Sequence, residues 1–310
     1  MKTRKFFSFI IALGMSMLCA MAQPGGGIPF GGGNPFEGKT PEQIAEMFRK
    51  MNEPPSDPSY EMKELSVVSA GNMLYGQAFI PQSSGRHPAI IFSHGFGSSH
   101  TAFYGLIREL AKEGFVCVCY DFAGGSRSSK SEGRTQDMSI FSESQNLKDM
   151  LDEVRSWSSV DKKNIFLLGE SQGGCVSAIT APDVSKKINS IILGFPALCI
   201  PDDGFKQYPT LADIPQEMGF MGMRLGRAYY DKFYGEWEIY KAISKYKGEV
   251  LIVHGTNDSL VKPEYSAKAA NAYKHCELHL IFGAGHGFNG DEQTPLYLGY
   301  IRDFIARNKK

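Results

Sequence analysis

Past residue 60 the chain alternates short apolar runs with amphipathic helical stretches, and this rhythm restricts its fold more than any other feature. The runs cover residues 89–93, 115–120, 165–168, 188–193, 250–253 and 278–282, and the helical patterns lie near 101–113, 143–157, 172–181, 264–274 and 295–307. Strands that are apolar without interruption suit a parallel sheet covered on both faces. Their alternation with helices predicts a doubly wound, mostly parallel α/β sheet with right-handed crossovers. Residues 65–69 and 73–80, with Gly71 and Asn72 between them, add a hairpin at the start, for about eight strands in all.

The rhythm fails once. Residues 195–247 hold Pro196, Pro201, Pro209 and Pro215, a run of aromatic residues and no clear strand. An insertion of that length inside a compact domain is usually functional. Residues 196–247 are therefore expected to form a lid, inserted before the penultimate strand.

The first 22 residues read as a signal peptide. Lys2, Arg4 and Lys5 precede an apolar run from Phe6 to Leu18, and Ala20-Met21-Ala22 offers small residues for cleavage before Gln23. The run falls short of the ~20 apolar residues that span a bilayer. The expectation is an exported chain, periplasmic or secreted, with no stable membrane span after cleavage. Residues 23–60 read as a tether carrying one short helix. The tract 23–38 is too rich in Gly and Pro for regular structure. Thr40, Pro41 and Gln43 then form a helix start of the capping-box type. Ile44, Met47, Phe48 and Met51 give that helix one apolar stripe, expected to dock on the main domain of residues 61–310.

Lys plus Arg and Asp plus Glu both number 33, so the chain lacks the cationic surplus of a nucleic-acid binder. Of its six cysteines, Cys19 leaves with the signal. Cys117, Cys119, Cys175, Cys199 and Cys276 remain. No CxxC or Cys/His spacing suggests a metal, and the five read as small core residues.

The chemistry gathers at three loops. Gly169-Glu170-Ser171-Gln172-Gly173 matches GxSxG, with an apolar strand directly before it and a helical stretch directly after it. That setting is what a nucleophile elbow requires: a tight turn that strains the serine and needs small neighbours. A serine hydroxyl needs a base, and the base needs an orienting carboxylate. Asp258 follows the run 250–253, and His286 follows the last run between glycines. Both lie where parallel sheets place their sites, at the carboxyl ends of strands. His94 is the rival base, but it precedes the serine in the chain. Asp121 is the rival acid and is read as fixing the turn that follows it. His254 is read as support for the Asp258 loop.

HGFG at 94–97, YDFAGGSRS at 120–128, GESQGG at 169–174, HGTND at 254–258 and GAGH at 283–286 together resemble the α/β-hydrolases. They most resemble the bacterial cinnamoyl and feruloyl esterases, over about residues 62–308. The resemblance implies a serine carboxylesterase working on small esters, those of the hydroxycinnamoyl type among them, through an acyl-enzyme and without cofactor. It implies an oxyanion hole from the backbone N–H groups of Phe96 and Gln172. It also implies that Asp202 or Asp203, together with Tyr229, meets the hydroxyl of an aromatic acyl group. The lid departs most from that family's pattern. Two other readings share the scaffold: a serine peptidase of the prolyl-oligopeptidase type, and a non-catalytic binding protein.

Overall fold

Successive side chains of a strand face opposite ways, and the central strands here have an apolar partner on each side. In the computed structural model, which describes residues 38–288 and 292–310, the elements run α1 (Pro41–Met51), β1 (Tyr60–Ser69), β2 (Asn72–Pro81), β3 (His87–Ser93), α2 (Tyr104–Leu110), β4 (Val116–Tyr120), α3 (Ile140–Ser156), β5 (Val160–Glu170) and α4 (Gln172–Val184). They continue with β6 (Ser190–Gly194), α5 (Ile200–Gln207), β7 (Glu217–Phe220), β8 (Met223–Gly226), α6 (Ile239–Ile243), β9 (Glu249–Gly255), α7 (Pro263–Ala272), β10 (Cys276–Ile281) and α8 (Gln293–Asn308). The signal segment 1–22 and the Gly/Pro tract as far as residue 37 lie outside the described residues.

Eight strands form one sheet in the order β1-β2-β4-β3-β5-β6-β9-β10. Only β2 runs against the rest, pairing antiparallel with β1 and β4, while β4, β3, β5, β6, β9 and β10 are parallel neighbours. Ile91, Ile165 and Leu167 join Leu147, Met150, Leu151 and Val154 of α3 and Val176 of α4 in a core on one face. Ile90, Phe92, Phe166 and Leu168 join Leu106, Ile107 and Leu110 of α2 and Ile301 and Phe304 of α8 on the other. The predicted two-sided sheet is thus the observed one. Among the described residues no helix is long and apolar enough to cross a membrane.

The insertion corrects one expectation, because it holds a two-stranded sheet, β7 with β8. These strands are four residues each, contain Gly219 and Gly226, and turn through Met221 and Gly222, both at positive φ. Two positive-φ positions suit a two-residue hairpin turn, but Met-Gly signals it poorly, and strands this short leave no readable alternation. α1 forms with the predicted cap, the Gln43 N–H reaching Thr40 Oγ1 at 3.3 Å and the Thr40 N–H reaching Gln43 Oε1 at 2.8 Å. Ile44 and Met47 are half-buried. Just beyond the helix the Thr101 hydroxyl donates to Asn52 Oδ1. The five described cysteines are free, four of them buried and Cys276 half-buried.

Candidate active site

The turn between β5 and α4 forces Ser171 into φ 54°, ψ −120°, a region that side chains other than glycine rarely occupy. The strain is maintained from three sides. The Ser171 N–H donates to Gly194 O at 2.9 Å, and Ser171 O accepts from the N–H groups of Ala197 and Cys175. Glycines make the turn possible: a Cβ at Gly169 would lie 2.1 Å from Gly173 O, and one at Gly173 would lie 1.9 Å from Ser93 O. A Cβ on Gly95 would come within 3.1 Å of the Ser171 Cβ, so the loop after β3 passes directly over the serine.

Ser171, Asp258 and His286 converge although they are far apart in the chain. His286 Nε2 lies 2.9 Å from Ser171 Oγ, and His286 Nδ1 lies 2.7 Å from Asp258 Oδ2. A carboxylate accepts only, so Nδ1 carries the proton and Nε2 is left to accept from the serine hydroxyl. Asp258 Oδ1 takes the backbone N–H groups of Leu260 and Val261. Burial disfavours its charge. The hydrogen bonds from His254, His286 and the Val261 N–H outweigh that burial and hold the carboxyl well below the usual range.

His254 supports the acid as its position suggested. Its Nε2 faces both Asp258 Oδ2 (3.2 Å) and Val261 O (2.9 Å), while its Nδ1 takes the Ser266 hydroxyl. The histidine loop is locked to the acid loop: Asn257 donates to Ala284 O and Gly283 to Thr256 Oγ1. Gly255 has no room for a side chain, since a Cβ there would sit 2.3 Å from Ala284 O. Gly287 holds φ 115°, so glycine is what lets the chain turn just after His286.

The rival residues have other tasks. His94 is buried, with Nδ1 on Gly95 O and Nε2 accepting from the Phe122 N–H. Asp121 takes the His100 backbone N–H and His100 Nδ1 on Oδ1, and the Lys130 N–H on Oδ2. It therefore fixes the loops on both sides of it. Phe96 and Gln172 both lie beside Ser171, and neither backbone N–H makes a hydrogen bond among the described residues. Gln172 is the first residue of α4, where such donors lack helical partners.

The lid positions divide. Asp202 and Asp203 are exposed on the first turn of α5, and Asp202 accepts from the Tyr265 hydroxyl. No hydrogen bond among the described residues joins either to Ser171 or His286. Tyr229 does reach the site region, but it is buried, and its hydroxyl donates to Gln172 Oε1 at 2.6 Å. Its ring lies 6.0 Å from that of Phe96. Phe195 went unnoticed in the sequence. It directly follows β6 at φ 35°, and its ring stacks edge-on against His286 at 4.8 Å, with Phe288 behind it. A phenylalanine at positive φ has no signature in sequence. Among the described residues no group of three His, Cys, Asp or Glu side chains is placed to hold a metal ion.

Comparison with known proteins agrees with this architecture. The alpha/beta hydrolase fold family matches residues 88–206. Est1E of Butyrivibrio proteoclasticus, solved with ferulic acid bound, superposes with a TM-score of 0.69 at 25% identity, covering 79% of this chain and 98% of that one. An acetyl xylan esterase from Paenibacillus sp. R4 gives a TM-score of 0.64 at 18% identity over 81% of this chain and 85% of that one, a likeness of fold alone. Protein phosphatase methylesterase 1 of Saccharomyces cerevisiae is 27% identical over 144 residues, 44% of this chain. The chain covers about a third, 32%, of the length of that curated relative. The chain thus has the α/β-hydrolase fold, with a core similar to that family's and an overall structure similar to those of bacterial esterases.

Proposed function

We propose that the protein is an exported serine esterase that hydrolyses small carboxylic esters through an acyl-enzyme. The observation that carries this reading is the hydrogen-bonded chain Ser171–His286–Asp258 at a strained elbow. In the reaction, Ser171 Oγ bonds to the acyl carbon as its proton passes to His286 Nε2. The carbonyl oxygen, now negative, takes the N–H groups of Phe96 and Gln172, donors that matter most once charge has formed. Collapse expels the alcohol, which takes the proton back from His286. Water then repeats the sequence and releases the acid. Asp258 holds His286 in the tautomer that accepts from serine.

An aromatic acyl group is the substrate class the surroundings favour. Phe96 and Phe220 lie 5.1 Å apart edge to face, both half-buried beside the loop that covers Ser171, and such faces hold an aromatic ring by apolar burial. The ferulic acid bound to Est1E supports the same class. Export rests on the signal pattern of residues 1–22.

Turnover of short nitrophenyl esters tests the reading. Ser171→Ala should lose ~10⁶-fold in kcat and Asp258→Asn about 10⁴-fold, and undiminished turnover in either refutes it. Covalent labelling by an active-serine phosphonate separates an enzyme from a binding protein. Faster cleavage of an aminoacyl amide than of its ester would favour the peptidase reading instead.

A further inference from the structure

Glu143, on α3, is only 1% exposed, and among the described residues no Lys, Arg or His pairs with it. The groups that face its carboxyl are neutral. They are Gln172 and Cys175 on α4, Tyr120 on β4 and Tyr229 from the lid. A buried carboxyl without a counter-ion costs stability that an apolar residue would not. Breaks of this kind with local economy tend to sit at functional places.

The place here is one side chain away from the nucleophile. Glu143 Oε2 accepts from Gln172 Nε2 at 2.8 Å, and the oxygen of the same amide accepts from the Tyr229 hydroxyl at 2.6 Å. Gln172 is itself 1% exposed, with both ends of its amide engaged. It directly follows Ser171, so its backbone N–H cannot reorient without dragging an amide that is held at two points. We propose that Glu143 is a positioning residue for the oxyanion site: it clamps the Gln172 side chain, and through that amide it ties Tyr229 of the lid to the nucleophile turn. The inference rests on the esterase reading of Ser171.

The protonation state of Glu143 then bears on catalysis. Burial pushes this carboxyl up to about 8, against a smaller opposing effect from the Gln172 hydrogen bond. At neutral pH it is an uncharged clamp. Above that range it carries a buried negative charge close to where a second one develops in the transition state.

The test compares Glu143→Leu, Glu143→Gln and Tyr229→Phe with the wild type on one small, alkali-stable ester, with Tm measured for each. Glu143→Leu should lower kcat by about tenfold or more while KM stays within about twofold, because an oxyanion donor acts in the transition state. Glu143→Gln keeps the acceptor and should restore kcat. It should also abolish a fall in kcat above about pH 8 that the wild type shows. If Glu143→Leu does not fold, the cycle of Glu143→Gln and Tyr229→Phe decides at pH 9. Two residues acting through one amide should give non-additive effects there, the gain from Glu143→Gln changing in size when Tyr229→Phe is present, whereas additive effects overturn the proposal. A folded Glu143→Leu with wild-type kcat overturns it too, as does a loss that Gln fails to rescue. A wild-type chain that cleaves no ester and takes no phosphonate label instead brings down the esterase reading itself.

Discussion

Gly173 shows how little freedom the residues around the serine have. Its missing side chain is where the end of β3 passes, with Ser93 O 1.9 Å and His94 O 2.5 Å from a built Cβ. These are backbone atoms of a buried strand and cannot step aside cheaply. Gly173→Ala should therefore cost several kcal/mol, on the order of the 3–5 that severe core disruption brings, seen as a fall in Cm on urea unfolding. Gly235→Ala, where nothing lies within 4 Å, is the control and should leave Cm in place. Equal effects of the two would show that the elbow is looser than its geometry implies. Sequence already pointed to small residues at 169 and 173. Which atoms they make room for could not be read there, because Ser93 lies 80 positions earlier.

At the scale of elements, the lid separates residues that hold it together from residues that face the site. Phe233, 1% exposed, packs on Phe141 and Trp237 of the same cluster. Tyr229 and Tyr230 are equally buried and in edge contact. The lid rings form a core of their own, seated on Phe141 of α3. Phe220, at the tip of the β7–β8 hairpin, touches Phe96 and remains half-buried. The two kinds of ring should respond differently to truncation. Phe233→Ala should cost about 3–5 kcal/mol of stability. Phe220→Ala should leave Tm within a few degrees and raise KM for a feruloyl ester several-fold more than for an acetyl ester. A parallel rise for both esters would remove Phe220 from the acyl site. Aromatic content alone could not divide the roles, since both kinds look the same in a Pro-rich stretch.

For the whole molecule, two groups of carboxyls set opposing pH limits. Burial pushes Glu143 up to about 8 and Glu170 up to about 7, against about 4.3 for a free glutamate. Between those values the folded chain holds protons that the unfolded chain has released, so stability falls as pH rises through that window. Asp258 and Asp121 act in the other direction. Both are buried, yet His254 and His286 on Asp258, and His100 on Asp121, keep them below the usual range. Their contribution is present above about pH 4 and is lost as pH drops through their depressed values. Tm should therefore decline from about pH 5 to pH 9 by the linkage of these groups. Glu143→Gln should flatten that decline, and an unchanged slope would show that Glu143 does not titrate there.

The local parts of this protein were legible in the order of its amino acids. Apolar runs of strand length specified a parallel sheet. GxSxG between a strand and a helix specified the elbow. Asp258 and His286 were legible because each directly follows a strand that the hydrophobic pattern already places. Tertiary structure alone decided what depends on side chains brought together from distant positions. It put Tyr229 on Gln172 and Gln172 on Glu143, spacings of 57 and 29 residues. It also set Phe195 against His286 and buried Tyr229, Tyr230 and Phe233 of the lid. Periodicity reports which face of an element is covered. It carries no information about which polar atom on a neighbouring element a buried donor will find, because that choice is made by packing once the chain has folded.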